Sequence, residues 1–318
     1  MKLPAVQGRF RGKRVGVLAG GLSSEREISD RSARAATKVL TARGYDVAEI
    51  AVDRDIAGAL AKEGVEVAFN ALHGRYGEDG CVQGLLEVLG IPYTGAGVLG
   101  SALSMDKWLS KGVLDRAGMQ TAPAVLVGAG ETAAWEREYP VVVKPRGEGS
   151  SNGVSLVREP AGLAAAVAEA RLFDTDVLIE DFIPGQEITV AILEDCALSA
   201  MEVVALGDDF HTYEVKYTAG REEFILPAPL GDGYEPVLEF ALESHRALLA
   251  GAYSRVDLRV RPDGEMFILE VNTLPGLHEL GWFPAMAAHV GIGFGDLIEL
   301  LLDRAELGVR ETRMEVGG

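Results

Sequence analysis

The chain has 318 residues, 48% hydrophobic and 25% charged, which suits an ordinary globular protein of two or three domains. With 30 basic and 48 acidic residues the formal net charge is −18, which argues against a nucleic-acid or anionic-membrane partner because phosphate contacts need a basic surface. A small anion held in a local basic pocket is still allowed. No apolar run approaches membrane-spanning length, and the first residues are charged without an apolar stretch, so no secretory signal is expected and the cytoplasm is the expected compartment. The two cysteines, Cys81 and Cys196, make no CxxC pair, and both are expected as small buried fillers.

Residues 14–19 read as a short apolar strand, followed by Gly20-Gly21 and the segment LSSEREIS. Ser24 and Glu27 fit a capping box, so a helix is expected through residue 40, ending near Gly44. Residues 45–53 and 65–72 read as the next two strands. Strand, glycine turn, helix, strand is a mononucleotide-type α/β half. The glycine pair is not a full G-x-G-x-x-G. Glu25 falls at the positive end of the helix, where an acid in isolation answers the helix dipole. His73-Gly74-Arg75-Tyr76-Gly77-Glu78-Asp79-Gly80 closes the third strand with three glycines after the histidine and marks a ligand-facing loop. Residues 91–95 (IPYTG) read as the last strand of this unit, and 97–104 as small and flexible.

A second unit is expected to begin with Met105-Asp106-Lys107 and a helix to about Gly118. Residues 140–145 form a strand that carries Lys144 into the loop RGEGSSNGV at 146–154. Such a loop can aim backbone N–H groups at phosphates. It is neither a Walker A loop nor G-x-G-x-x-G. Residues 163–172 are an alanine-rich helix. Residues 177–187 (VLIEDFIPGQE) are a strand, a kink and an acid, in which Glu180 and Glu187 either meet a base and a ribose or are solvated strand charges. Two further strands follow at 188–193 and 197–204. The polar, aromatic stretch 213–227 reads as a loop able to close over a site. Residues 234–251 form an amphipathic helix.

Residues 253–276 read as a hairpin around Asp263-Gly264, a favoured two-residue turn. In that register Val256, Leu258 and Val260 face Val271, Leu269 and Phe267 on a buried apolar face. On the other face Asp257 stands opposite Glu270, and Arg255 opposite Asn272. Opposed carboxylates repel, so a cation is expected between them. The all-oxygen set Asp257, Glu270 and Asn272 suits a hard ion such as Mg²⁺. Arg255 neutralising one acid on a solvated face is the competing reading, and the hairpin alone leaves both open. A loop at 273–284 and two helices, about 285–290 and 295–307, complete the chain.

In this order, GGLSSEREIS (20–29), LHGRYGEDG (72–80), IPYTG (91–95), MDK (105–107), VKP (143–145) with GSSNGV (149–154), KY (216–217), RVD (255–257) and EVNTLPG (270–276) resemble the D-alanine–D-alanine ligases of the ATP-grasp superfamily. The resemblance covers about residues 15–305. It implies an α/β (α+β) fold with an N-terminal Rossmann-like domain (1–104), a central lid domain (105–185) and a C-terminal antiparallel-sheet domain (186–318). It also implies ATP-dependent joining of two D-alanines through an acylphosphate, for peptidoglycan synthesis, and a possible homodimer.

By the same resemblance Asp257, Glu270 and Asn272 hold two Mg²⁺ or Mn²⁺ ions. Lys107 and Lys144 contact phosphates, and the loop with Glu148, Gly149, Ser150 and Ser151 covers them. Glu180 and Glu187 take the adenine amino group and the ribose, with Phe182 and Ile183 near the base. Arg255 and the Gly276 N–H stabilise an oxyanion. Glu25 receives the first ammonium, with His73 nearby. Glu25, Ser150 and Tyr217 form a hydrogen-bonded set, and Lys216 reaches a phosphate or carboxylate. Gly281 stands where the family usually has a serine for the acceptor's carboxylate, which keeps a D-serine, D-lactate or other acceptor as the alternative. A dinucleotide oxidoreductase would need the missing G-x-G-x-x-G. A non-catalytic sensor would have lost the ligands that Lys144, Asp257, Glu270 and Asn272 supply.

Overall fold

The computed structural model describes residues 4–206 and 221–308, so Lys216 and Tyr217 lie outside the described residues. The first sheet is parallel, in the order β2-β1-β3, from β1 (Arg14–Gly20), β2 (Asp46–Val52) and β3 (Val67–Asn70). β1 and β3 are buried almost throughout, as parallel strands covered on both faces must be. Gly20 and Gly21 take φ of 76° and 94° and turn the chain into α1 (Arg26–Ala42).

The expected capping box does not form. The residue before the first turn is Glu25, with no side-chain cap, and Ser23 rather than Ser24 binds its backbone N–H. The Glu25 side chain is thereby free of the helix end and turns elsewhere. Residues 91–95 are not a strand. Tyr93 alone bridges Ala68 and Glu306, because Pro92 has no N–H to extend a ladder. After α2 (Ile56–Glu63) and α3 (Cys81–Leu89), the supposedly flexible 97–104 stretch is the helix α4 (Val98–Met105). Its small residues serve close packing: a Cβ on Gly100 would stand 2.0 Å from Leu249 O. Asp106 then caps α5 (Lys107–Arg116) by accepting from the N–H groups of Trp108 and Leu109.

The second sheet is antiparallel, in the order β4-β7-β5-β6, from β4 (Ala124–Val127), β5 (Val141–Pro145), β6 (Ser155–Val157) and β7 (Val177–Asp181). Helix α6 (Leu163–Ala170) covers its core. The third sheet, also antiparallel, runs β10-β9-β8-β11-β12. Its strands are β8 (Gln186–Leu193), β9 (Cys196–Ala205), β10 (Glu222–Ile225), β11 (Tyr253–Val260) and β12 (Met266–Asn272). Helix α7 (Tyr234–Ala247) packs on it. Helices α8 (Trp282–His289) and α9 (Phe294–Asp303) share one core cluster with β1, α1, β8 and β9, which joins the first and third sheets. They meet at 103°, and among the described residues no single helix is long and apolar enough to cross a membrane.

The hairpin differs from expectation at its tip and then recovers. Arg261 N–H donates to Glu265 O, so the loop is the three residues Pro262, Asp263 and Gly264, with Gly264 at φ 88°. That moves the pairing by one residue, giving Val260 opposite Met266 and Leu258 opposite Ile268. A bulge after Asp257 takes up Leu269 and restores the register, so Asp257 stands opposite Glu270 and Arg255 opposite Asn272 as expected. The cysteines correct a second expectation. Cys81 is exposed at the start of α3, and Cys196 is half-buried.

Candidate active site

A cavity of about 360 Å³ is bounded by the entry of α1, the loop after β3, the loop after β5, the hairpin β11–β12 and the segment leading into α8. A smaller cavity of about 90 Å³ lies between β5, β7 and the hairpin. Lys107, Glu148 and Glu270 line both, so the two spaces meet at these side chains. The larger one takes in Glu25, His73, Gly149, Ser150, Arg255, Asn272, Gly276 and Gly281. The smaller one takes in Lys144, Ser151, Glu180, Phe182, Ile183, Glu187 and Asp257. Residues from three sheets, more than 200 positions apart at the extremes (Glu25 and Gly281), thus converge on one connected space.

At one end Glu25 is 7% exposed, and its Oε1 accepts from the Ser150 hydroxyl. Its Oε2 is buried with no hydrogen-bond partner among the described residues. A Cβ on Gly74 or on Gly149 would lie 2.6 or 2.7 Å from that oxygen, so both backbones close over the carboxylate only because they are glycine. Ser150 and Ser151 hold φ of 51° and 57°, a left-handed conformation that costs about 1–2 kcal/mol for a residue with a Cβ. That turn aims the Ser150 hydroxyl. Burial raises the Glu25 pKa, with the Ser150 hydrogen bond opposing it. Glu78, equally buried, is held well above the usual carboxylate range by burial and by Glu25. A buried carboxylate oxygen without a partner among the described residues can accept a hydrogen bond from an N–H or O–H donor.

His73 is fixed rather than free. Its Nε2 lies 3.1 Å from Ser32 Oγ, and its backbone N–H donates to Ser29 Oγ at 2.9 Å. Burial, with Arg255 and His278 nearby, pushes its pKa down to about 4, so it is neutral near pH 7.

On the hairpin, Arg255 grips Asp257 as a fork, Nε to Oδ1 at 2.9 Å and Nη2 to Oδ2 at 2.7 Å. Thr189 Oγ1 donates to the same Oδ1 at 2.6 Å. Glu270 Oε1 lies 3.9 Å from the guanidinium. Arg255 therefore pairs with Asp257 and also approaches Glu270, where the competing reading gave it one acid, and Asp257 is buried while Glu270 is partly exposed. Burial opposes its charge, and Asp257, Glu270 and Glu78 outweigh that and keep it cationic. The Trp282 ring backs it at 5.1 Å.

No cluster of three His, Cys, Asp or Glu able to hold a metal occurs among the described residues. The candidate set here is two carboxylates and an amide. Arg255 and Thr189 both donate to Asp257. Glu270 is bound only loosely, and Asn272 Oδ1 accepts the Leu274 N–H at 3.0 Å. The donor chemistry, oxygen only, fits a hard cation.

In the smaller cavity, Lys144 lies 2.6 Å from Glu180 Oε1 and Lys111 2.8 Å from Oε2. Glu180 is therefore not a solvated strand charge. Burial pushes its pKa up, but the two lysines prevail and hold it down to about 2. Glu187 pairs with Arg259 at 3.8 Å, and Arg259 lies 5.3 Å from the Phe182 ring. Lys107 donates to Glu148 O, and Arg75 ties the loop after β3 to Glu148 and Asp174, both at 3.1 Å. Sequence reasoning assigned no role to Lys111, Glu78 or Trp282. Lys111 had a signal in its spacing, one helical turn beyond Lys107. Glu78 and Trp282 had none, since only folding brings them to Glu25 and Arg255.

The family profile described as D-ala D-ala ligase C-terminus matches residues 119–303, and the one described as D-ala D-ala ligase N-terminus matches residues 55–96. A D-alanine–D-alanine ligase of Geotalea uraniireducens is 50% identical over 303 residues, covering 94% of this chain and 97% of the relative. That of Geobacter sulfurreducens is 49% identical over 302 residues, covering 93% and 95%. The crystal structure of D-alanine–D-alanine ligase from Bacillus anthracis complexed with ATP superposes with a TM-score of 0.82 at 30% identity, over 92% of this chain and 97% of that one. The VanG D-Ala:D-Ser ligase of Enterococcus faecalis superposes at 0.80 with 29% identity, over 91% and 98%. The three-sheet architecture is the ATP-grasp fold, and the chain belongs to the D-alanine–D-alanine ligase family.

Proposed function

We propose that this chain joins two D-alanines to D-alanyl-D-alanine at the expense of ATP, supplying a precursor of peptidoglycan. The observation that carries the reading is the meeting of the two cavities at Lys107, Glu148 and Glu270. A carboxylate lying between Glu25 and Arg255 faces the end of the space where phosphates bound by Lys144 and Lys107 would lie. The first D-alanine's ammonium is received by the open oxygen of Glu25, beside neutral His73. Its carboxylate oxygen attacks the γ-phosphorus, the bond to the β-phosphate oxygen breaks, and ADP and an acylphosphate form.

The second D-alanine's amine, having lost a proton, attacks the acyl carbon. The oxyanion that develops lies near Arg255 and the Gly276 N–H, and a contact of this type is worth about 3–4 kcal/mol. Expulsion of phosphate completes the dipeptide. Asp257, Glu270 and Asn272 are the residues that would hold two divalent ions, Mg²⁺ or Mn²⁺. Such ions, when bound, neutralise the charge on the transferring phosphoryl group. Glu148, Gly149, Ser150 and Ser151 cover the phosphates, and Phe182, Ile183, Glu180 and Glu187 take the nucleoside. Tyr217 completes the set with Ser150 and Glu25.

Gly281 N–H already donates to His278 O at 2.8 Å, so the acceptor carboxylate is assigned to Lys216 rather than to that amide. D-alanine is proposed at both subsites, in keeping with relatives at 45–50% identity that bear the D-alanine–D-alanine ligase name. The domain division 1–104, 105–185 and 186–318 is part of the same proposal, supported by the sequence limits of the three sheets. An ADP-release assay with D-alanine, D-serine, D-lactate and L-amino acids tests the reading. D-alanine-dependent turnover is expected, and its absence overturns the assignment.

A further inference from the structure

Lys111 is buried on α5, yet it lines neither cavity. Its ammonium donates to Ala122 O at 2.8 Å and lies 2.8 Å from Glu180 Oε2. Lys144 takes the other oxygen of the same carboxylate at 2.6 Å. Of the three groups, Glu180 and Lys144 face the smaller cavity and Lys111 stands behind them. One lysine would suffice to neutralise one buried acid. The second gives this trio one more positive charge than negative, where an unpaired buried charge is costly.

We infer that Lys111 is a positioning residue for nucleotide binding: it is the counter-ion that stays with Glu180 when Lys144 turns to a phosphate. This rests on the nucleotide reading above. Lys111 is pinned by Ala122 O, whereas Glu180 is the ion-pair partner of Lys144 among the described residues. When a phosphate takes up Lys144, Glu180 would become a bare buried anion unless a second cation remained. With Lys111 in place, Glu180 keeps a cation when Lys144 turns to a phosphate. Without it, Lys144 is held by Glu180 and the phosphate must compete for it. Asp115, on the same helix, acts on Lys111 only through space and is no substitute for Glu180.

The test compares the whole wild-type enzyme with Lys111→Met and Lys111→Arg. ADP affinity is measured by calorimetry, and kcat and KM for ATP and D-alanine by ADP release. Lys111→Met is expected to weaken ADP binding and raise the ATP KM by about tenfold or more, with the D-alanine KM unchanged. Lys111→Arg is expected to restore most of the affinity.

Wild-type binding with an unchanged Lys111→Met overturns the inference alone, as does a Lys111→Arg variant no better than Lys111→Met. A wild-type chain that binds no ADP overturns the nucleotide reading and this inference with it. Should Lys111→Met fail to fold by circular dichroism, Lys111→Gln, uncharged but able to donate to Ala122 O, takes its place with the same expectations.

Discussion

The hydroxyl of Ser150, on the loop after β5, donates to the carboxylate of Glu25 at the start of α1. This one bond ties the second sheet to the first across the larger cavity. It is also the only hydrogen bond on a carboxylate whose other oxygen has no partner among the described residues. Burial raises the Glu25 pKa and the Ser150 bond lowers it, so Ser150→Ala should raise it further. Binding of a substrate ammonium needs the ionised acid. The acid limb of the kcat/KM profile for D-alanine should therefore move to higher pH in Ser150→Ala. A limb that stays in place would show that Glu25 does not bind the ammonium.

Arg255 is a largely buried fork on Asp257, backed by Trp282. Lys supplies the charge but not two parallel N–H groups. Arg255→Lys is expected to lose about 10²- to 10³-fold in kcat, the range for a lost oxyanion donor. Arg255→Ala should in addition lower stability by about 3–5 kcal/mol, since it strands a buried acid. Steady-state kinetics and urea unfolding separate the two effects.

Gly281 invites restoration of a serine. A Cβ there would stand 2.9 Å from Gly276 O and 3.1 Å from His278 O, both backbone atoms. Gly281→Ser is therefore expected to harm the enzyme, with a stability loss of about 1–3 kcal/mol from overpacking. Acceptor-site KM and thermal unfolding would reveal it. A variant that binds the acceptor more tightly at unchanged stability would show that the loop yields.

If the oxygen set on the hairpin holds divalent ions, a chelator should abolish ADP release, and Mg²⁺ or Mn²⁺ should restore it. Zn²⁺ should restore little, since the set lacks nitrogen and sulfur. Asn272→Ala should raise the Mg²⁺ concentration needed for half-maximal rate. Full activity in the presence of chelator would remove the ions from the scheme.

Glu299 on α9 accepts from Tyr45, Arg43 and Arg11 at 2.7, 2.6 and 2.7 Å, clamping the start of the chain and the α1–β2 turn to the C-terminal helices. Burial pushes its pKa up, but these partners prevail and hold it below its ordinary value. A depressed folded-state pKa means that the stabilisation is present above the unfolded value, roughly 4.3, and is lost as pH falls through the folded value. Glu299→Gln should thus be less stable than wild type at pH 7. The gap should shrink below about pH 4 in acid titrations followed by circular dichroism.

The chain's order of segments was enough to place most strands and helices, because strand-forming runs, glycine turns and periodic helices are local properties, whereas the three-part division came only with the family resemblance. It was also enough to put Asp257 opposite Glu270 and Arg255 opposite Asn272, although for an incomplete reason: the turn is one residue longer than its Asp-Gly suggested, and a bulge at Leu269 compensates. Neither the bulge nor the helix at Val98–Met105 could be read locally, since each depends on what packs against it. Only the tertiary structure decided that Arg255 lies beside both acids, that one Glu25 oxygen has no partner among the described residues beneath Gly74 and Gly149, and that Lys111 shares Glu180 with Lys144. Residue type and spacing determine which groups are available. Their charge states and partners depend on burial and on neighbours remote in the chain, and those exist only once the three sheets have closed on one another.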